Sequence, residues 1–239
     1  MSNSFTARSA ISNLTPNDAA SADLFSGLFG GQPLATSYKV GANGAVGGLD
    51  AGYNWQASAN WLLGVEADFS FAGLSGQATA TSLFSGTPQT LTVAQTTDWY
   101  GTVRGRLGWL ATPDLLFFGT GGFAYGRVTD SANDTLAAAT PPVTTTAAAS
   151  GFGFICTTGA TCFLGTSTAI QTGWTAGGGA EWLLSRYVSL KAEYQFVDLG
   201  TQTVRVTALA APLGAIPSSF NAVFRDEIQS FRVGLNWHL

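Results

Sequence analysis

Along Trp61–Phe71 the residues Trp61, Leu63, Val65, Phe69 and Phe71 hold the odd positions, while Glu66 and Asp68 hold even ones. The same parity runs through Trp99–Trp109, where Trp99, Val103, Leu107 and Trp109 oppose Arg104 and Arg106. Val188, Leu190, Ala192, Tyr194 and Phe196 oppose Lys191 and Glu193, and Phe231, Val233, Leu235, Trp237 and Leu239 oppose Arg232 and Asn236. A period of two is the period of a β-strand. Charges of both signs near a strand's centre need either an open aqueous face or the inside of a barrel whose outside is lipid.

The pattern predicts strands near 45–56, 60–71, 98–110, 115–128, 172–183, 187–199 and 226–239. In 115–128 both parities read apolar, so its inward face stays open. Connections alternate in length: short at 56–60, 111–114 (with Pro113) and 184–186, long at 72–97, 129–171 and 200–225. Short turns at one end and long loops at the other is the asymmetry of an outer-membrane barrel, not of a Greek-key sandwich. The tracts Ala137–Pro142 and Thr144–Ala149 lack the apolar content to order themselves. Strand glycines such as Gly105, Gly122 and Gly179 suit a small, strongly curved wall.

Composition sharpens this. Only 10% of residues are charged, against about 25% in soluble domains. No apolar run reaches the roughly 18 residues of a membrane helix. In lipid only helices and closed barrels satisfy the backbone, so the barrel remains. A net charge of −4 with pI near 4.7 argues against nucleic acid.

Several segments then carry a resemblance. Gly52–Gln56 (GYNWQ), Gly64–Asp68 (GVEAD) and Asp98–Gly108 (DWYGTVRGRLG) come first, then Thr120–Gly126, Thr172–Thr175, Val188–Gly200 and Val233–Trp237. Together, in this order, they resemble the alphaproteobacterial Omp25/Omp31-like outer-membrane β-barrel family over about residues 45–239. The resemblance implies an all-β, antiparallel up-and-down transmembrane β-barrel, eight-stranded in the family, of which seven strands are read here. It implies a cell outer membrane location in a Gram-negative envelope, often with immunogenic loops. Implied partners are outer-membrane lipid and lipopolysaccharide, the outer-membrane assembly machinery, and envelope or host-surface partners met through the long loops. It brings neither catalytic residues nor cofactors.

Two departures from the family pattern stand out. The family ends in an aromatic residue, usually Phe, whereas this chain ends Trp237-His238-Leu239. Residues 1–44 hold no signal peptide and no convincing alternation; the best candidate strand is Phe5–Leu14, with Arg8 in its middle. The expected division is therefore 1–44 as external loop 1 of a chain lacking its native first strand, and 45–239 as the barrel. Closure through lipid then requires a gap or a makeshift N-terminal strand.

The inward parity gathers Asp50, Glu66, Asp68, Arg104, Arg106, Glu181, Lys191, Glu193 and Arg232. In an eight-stranded barrel they read as a paired network filling the lumen, with a narrow polar pore as the functional rival. Trp61, Trp109, Trp182 and Trp237 fall at the short-turn ends and suit a periplasmic interface girdle. Cys156 and Cys162, the only cysteines, suit a local disulfide or two free thiols, and two residues are too few for a metal. The single histidine, His238, sits at the chain end and reads as a side chain without a role.

Three classes of function follow. The leading one is a non-enzymatic envelope and surface barrel. A small porin passing ions or small solutes is the second. A soluble ligand-binding barrel of lipocalin type is the third, disfavoured because lipocalins carry their charge outside.

Overall fold

The computed structural model describes residues 3–5, 11–16, 36–84, 87–139, 142–149 and 151–238. Among the described residues thirteen strands run β1 (Asn3–Phe5), β2 (Ile11–Pro16), β3 (Thr36–Lys39), β4 (Ala45–Gln56), β5 (Trp61–Phe84), β6 (Thr87–Thr112), β7 (Leu115–Leu136), β8 (Thr144–Ala149), β9 (Phe152–Thr157), β10 (Thr161–Ser185), β11 (Val188–Ala208), β12 (Ile216–Pro217) and β13 (Ser219–Trp237). The wall is antiparallel and up-and-down in the order β1-β4-β5-β6-β7-β10-β11-β13, and β1 pairs back onto β13. All seven strands read from the sequence are present.

The long connections differ from expectation. Segment 72–97 is not a loop: β5 and β6 continue as a ladder from Leu74↔Thr97 to Phe84↔Thr87. Likewise β7 and β10 pair out to Thr135↔Thr161, and β11 and β13 out to Thr207↔Ser219. The physical reason is that alternation persists there in milder residues. Leu74, Leu91, Val93, Val204 and Phe224 face inward and are buried, with β-branched threonines between them. The tract Thr144–Ala149, expected to stay unordered, is β8, because β9 offers it a complete ladder from Thr144↔Thr157 to Ala149↔Phe152.

The N-terminal segment is drawn into the wall. Asn3↔Val233 and Pro16↔Phe220 share one register along β13. Ser4↔Val46 and Leu14↔Thr36 share one register along β3 and β4. Residues 1–2, 6–10 and 17–35 of the expected external loop lie outside the described residues.

Curvature is tight where the sequence places glycine. A Cβ on Gly122 or Gly179 would collide with the carbonyl oxygen of Val103 or Ala192 on the neighbouring strand. The open question of β7 is settled by packing: Leu116, Phe118, Thr120, Ala124 and Val128 are buried, while Phe117 and Phe123 are about half exposed.

The interior is layered. At the short-turn end lies a charged layer. Above it Val46, Leu74, Tyr100, Ala124, Val128, Val197, Leu199 and Ile228 form an apolar layer. A second polar layer follows around Gln95, Asp130 and Asp226, and a second apolar layer of Leu91, Val93, Phe154, Phe163, Phe220 and Phe224 closes the outer end.

Candidate functional site

Adjacent strands build the charged layer by register. Glu66 of β5 stands directly opposite Arg104 of β6, and Asp68 opposite Thr102. Arg104 reaches Glu66 at 2.6 Å and Asp68 at 3.2 Å, and also bonds Glu193 from β11. Lys191 reaches Glu66 at 2.5 Å, Asp50 at 3.1 Å and Glu193 at 3.3 Å. Arg106 bonds Glu181 and lies 3.9 Å from Glu66, and Arg232 lies 3.3 Å from Asp68. Eight of the nine expected lumen charges are buried together. Asp50 is the exception, its side chain 40% exposed beside β13.

Neutral groups complete this network, and parity alone did not nominate them. Thr102 donates to Asp68, Ser189 and Asn236 donate to Glu181, and Arg232 donates to the Tyr100 hydroxyl at 2.5 Å. Phe118 lies 4.0 Å beneath the Arg106 guanidinium. Such neighbours let buried ions keep hydrogen bonds where solvent is lost.

His238 departs from its expected idleness. Its Nε2 lies 2.9 Å from Ser189 Oγ and 3.6 Å from Glu181. Both contacts fall on one ring nitrogen, whereas a nucleophile–base–acid relay holds its acid on the other. Ser189 is moreover buried and donates to Glu181. The trio is a hydrogen-bonded rim, not a hydrolytic triad. Among the described residues no group of three His, Cys, Asp or Glu side chains could hold a metal.

Exposed aromatic side chains form two rings on the outer wall. At the short-turn end Trp61 pairs across from Trp109, and Trp182 and Trp237 are also exposed. At the other end Trp99 stacks on Phe69 at 5.5 Å, and Trp174 packs on Phe196 at 5.2 Å. Just beyond that second ring the outward charges begin: Arg127 with Asp98 at 3.6 Å, and Arg225 with Asp198 at 2.9 Å and Glu227 at 2.8 Å. Between the rings the outward side chains of β5, β6 and β13 are apolar, as a membrane band requires.

The second polar layer lies above this band, inside the extension that the sequence reading took for loops. Asp226 accepts from the amides of Gln95 and Gln171, and Gln171 also donates to Gln202 at 2.8 Å. Burial raises Asp130 to about 8, reinforced by the nearby Asp226 and opposed by Gln95. Burial likewise raises Asp134 to about 7, opposed by the nearby Gln89, and Asp226 to about 6 against a hydrogen bond from Gln171. The signal for this layer was the persisting alternation of Asp130, Ala132, Asp134 and Leu136.

Cys156 and Cys162 are bonded to each other, with Cα atoms 5.3 Å apart. The bond ties β9 to the start of β10 beside Phe154, which packs on Phe163 at 5.2 Å, with Phe220 next in line at 5.8 Å.

The model of the outer membrane protein beta-barrel domain matches residues 14–238. The chain is 34% identical over 210 residues to the 31 kDa outer-membrane immunogenic protein of Brucella melitensis, and equally to that of Brucella suis. These alignments cover 86% of this chain and 71% of each relative. Among solved structures, OprG of Pseudomonas aeruginosa aligns over 99% of this chain and 94% of its own, at 9% identity and TM-score 0.40. The outer membrane protease OmpT of Escherichia coli aligns over 99% and 95%, at 10% identity and TM-score 0.39.

Proposed function

From the premise that this chain belongs to the outer membrane protein beta-barrel domain family, a family of the cell outer membrane, we propose that it is a non-enzymatic, non-conducting barrel. It contributes to envelope integrity and presents its extended outer hairpins at the surface. The observation that carries this reading is the layered interior. Two apolar layers cross the lumen, and an apolar constriction that sheds water blocks ions. Beneath them the mutually paired charges offer a permeating ion few free ligands.

Lipid and lipopolysaccharide fit as partners of the aromatic rings and of the outward charged pairs just beyond them. The last strand, with Phe231, Val233, Leu235 and Trp237 outward, fits as the segment the assembly machinery reads. The Thr- and Ser-rich hairpins above the band fit as the part of the chain that meets envelope or host-surface partners.

The small-porin alternative draws support from a cavity of about 460 Å³ at the short-turn end, lined by Asp50, Lys191, Arg232 and His238. That cavity abuts the charged layer, below the first apolar one. Purified protein in planar bilayers is expected to give no discrete current steps. Steps whose size changes on substituting Arg104 would overturn the sealed-barrel reading in favour of the porin.

A further inference from the structure

The cap over the outer end carries a threonine run that neither the lumen nor the membrane band uses. Between Asp134 and Glu181 the sequence holds no charged residue, and Pro141-Pro142 leads into Val143 and then Thr144–Ala149. Hydroxyl residues set among alanine and proline, without charge, are the composition of O-glycosylated stalks. The fold selects which of these hydroxyls an enzyme could reach.

β8 is the edge of the small outer sheet β12-β9-β8. β9 flanks it on one side and, among the described residues, no strand flanks it on the other. The rungs sort the threonines by face. Thr145 stands opposite Cys156, on the face of β9 that also carries Phe154, and both of those are buried in the apolar layer. Thr145 is accordingly half-buried. Thr144 stands opposite Thr157 and Thr146 opposite Ile155, on the face turned away, and both are exposed.

Threonines on the wall lie differently. Thr92 stands between Thr79 of β5 and Asn133 of β7. Thr129 stands between Thr96 of β6 and Thr168 of β10, with its hydroxyl 3.0 Å from that of Thr168. A strand on each side leaves such hydroxyls little room for an enzyme.

We propose that Thr144 and Thr146 are acceptors of O-linked glycan. The donor is a sugar carried on a lipid diphosphate. The threonine Oγ attacks the anomeric carbon while its proton passes to a base of the transferase. The bond from that carbon to the diphosphate oxygen breaks, and the lipid diphosphate leaves with the electron pair. The attached sugar also serves the fold. An uncharged edge strand is a template for pairing with another chain, and a bulky neutral cover blocks it.

The proposal rests on the reading that the outer hairpins face the cell exterior, and the test separates the two. The full chain is taken from outer membranes of its native host and digested, and the peptide spanning β8 is sequenced by electron-transfer mass spectrometry. It is expected to exceed its sequence mass by whole sugar residues, located on Thr144, Thr146 or both. Thr144→Val/Thr146→Val should lose the added mass and Thr145→Val should keep it, with heat-modifiable migration intact in each. A peptide at its bare sequence mass would overturn the proposal. So would sugar confined to Thr145 or to a wall threonine such as Thr92, or added mass that survives in the double variant. Protease added to intact cells carrying the double variant reports placement by itself. Cleavage within β8–β9 upholds the surface reading whether or not sugar is found; cleavage only after lysis sinks that reading and leaves the mass to decide the sugar.

Discussion

Arg104 Nη2 lies 2.6 Å from Glu66 Oε1, directly across the β5–β6 ladder, and the Arg104 side chain is wholly removed from solvent. The same guanidinium also meets Asp68 and Glu193, so three carboxylates from two strands depend on one cation. In low dielectric such a group is costly to assemble and more costly to break. The charged layer therefore specifies which strands lie face to face as much as it stabilises them.

Arg104→Met should destabilise the barrel by about 3–5 kcal/mol, because it strands buried carboxylates without a partner. Urea unfolding in detergent or vesicles measures this. Adding Glu66→Gln and Glu193→Gln should recover part of the loss. A single-variant cost near that of a surface ion pair would refute the network.

Val103, outward and 55% exposed between the two aromatic rings, should resist charge: Val103→Arg should cost about 2–4 kcal/mol of folding into lipid. Thr92→Arg, on the outward face above the band, should be near neutral. An arginine at the inward position of Thr102 is not a mild counterpart. That residue is fully buried and donates to Asp68, so Thr102→Arg would overfill the layer. Equal tolerance at Val103 and Thr92 would reject the membrane band.

The upper carboxyls should make the outer extension sensitive to alkali. Asp130, Asp134 and Asp226 are raised to about 8, 7 and 6, above the unfolded value near 3.9. A raised folded pKa means that unfolding releases protons, so this stability is whole below the unfolded value and is lost as pH climbs through 6 to 8. Resistance of the outer hairpins to protease should fall between pH 5.5 and 9, and Asp130→Asn should flatten the profile. An unchanged profile in Asp130→Asn would argue against a neutral buried acid.

Breaking the Cys156–Cys162 bond should loosen the outer cap and spare the wall. Loop-closure entropy for so short a loop is about 2 kcal/mol. Cys156→Ser/Cys162→Ser should therefore speed cleavage within β8–β9 while leaving heat-modifiable migration intact. Loss of that migration would show that the cap supports the whole barrel.

Much of the fold was legible in the sequence because lipid enforces one rule on every rung. Charges must point inward and large apolar residues outward, so parity in 61–71, 99–109, 188–196 and 231–239 assigned both faces. The rule weakens above the membrane, where water tolerates threonine on the outside. There 72–97 and 200–225 read as loops although their inward residues kept alternating. In 115–128 the rule was silent, because Phe118 serves inside as a cation platform and Phe117 serves outside as lipid contact.

The sequence by itself determined the fold class, seven of the wall's strands and their inward face, since each follows from a period-two pattern read locally. Only the tertiary structure decided which carboxylate meets which cation, and that the interior alternates charged, apolar, polar and apolar layers. Those depend on the stagger between strands and on glycines that let the wall curl. Residues such as Arg104 and Glu193, 89 positions apart in the chain, become neighbours only when the sheet rolls round on itself.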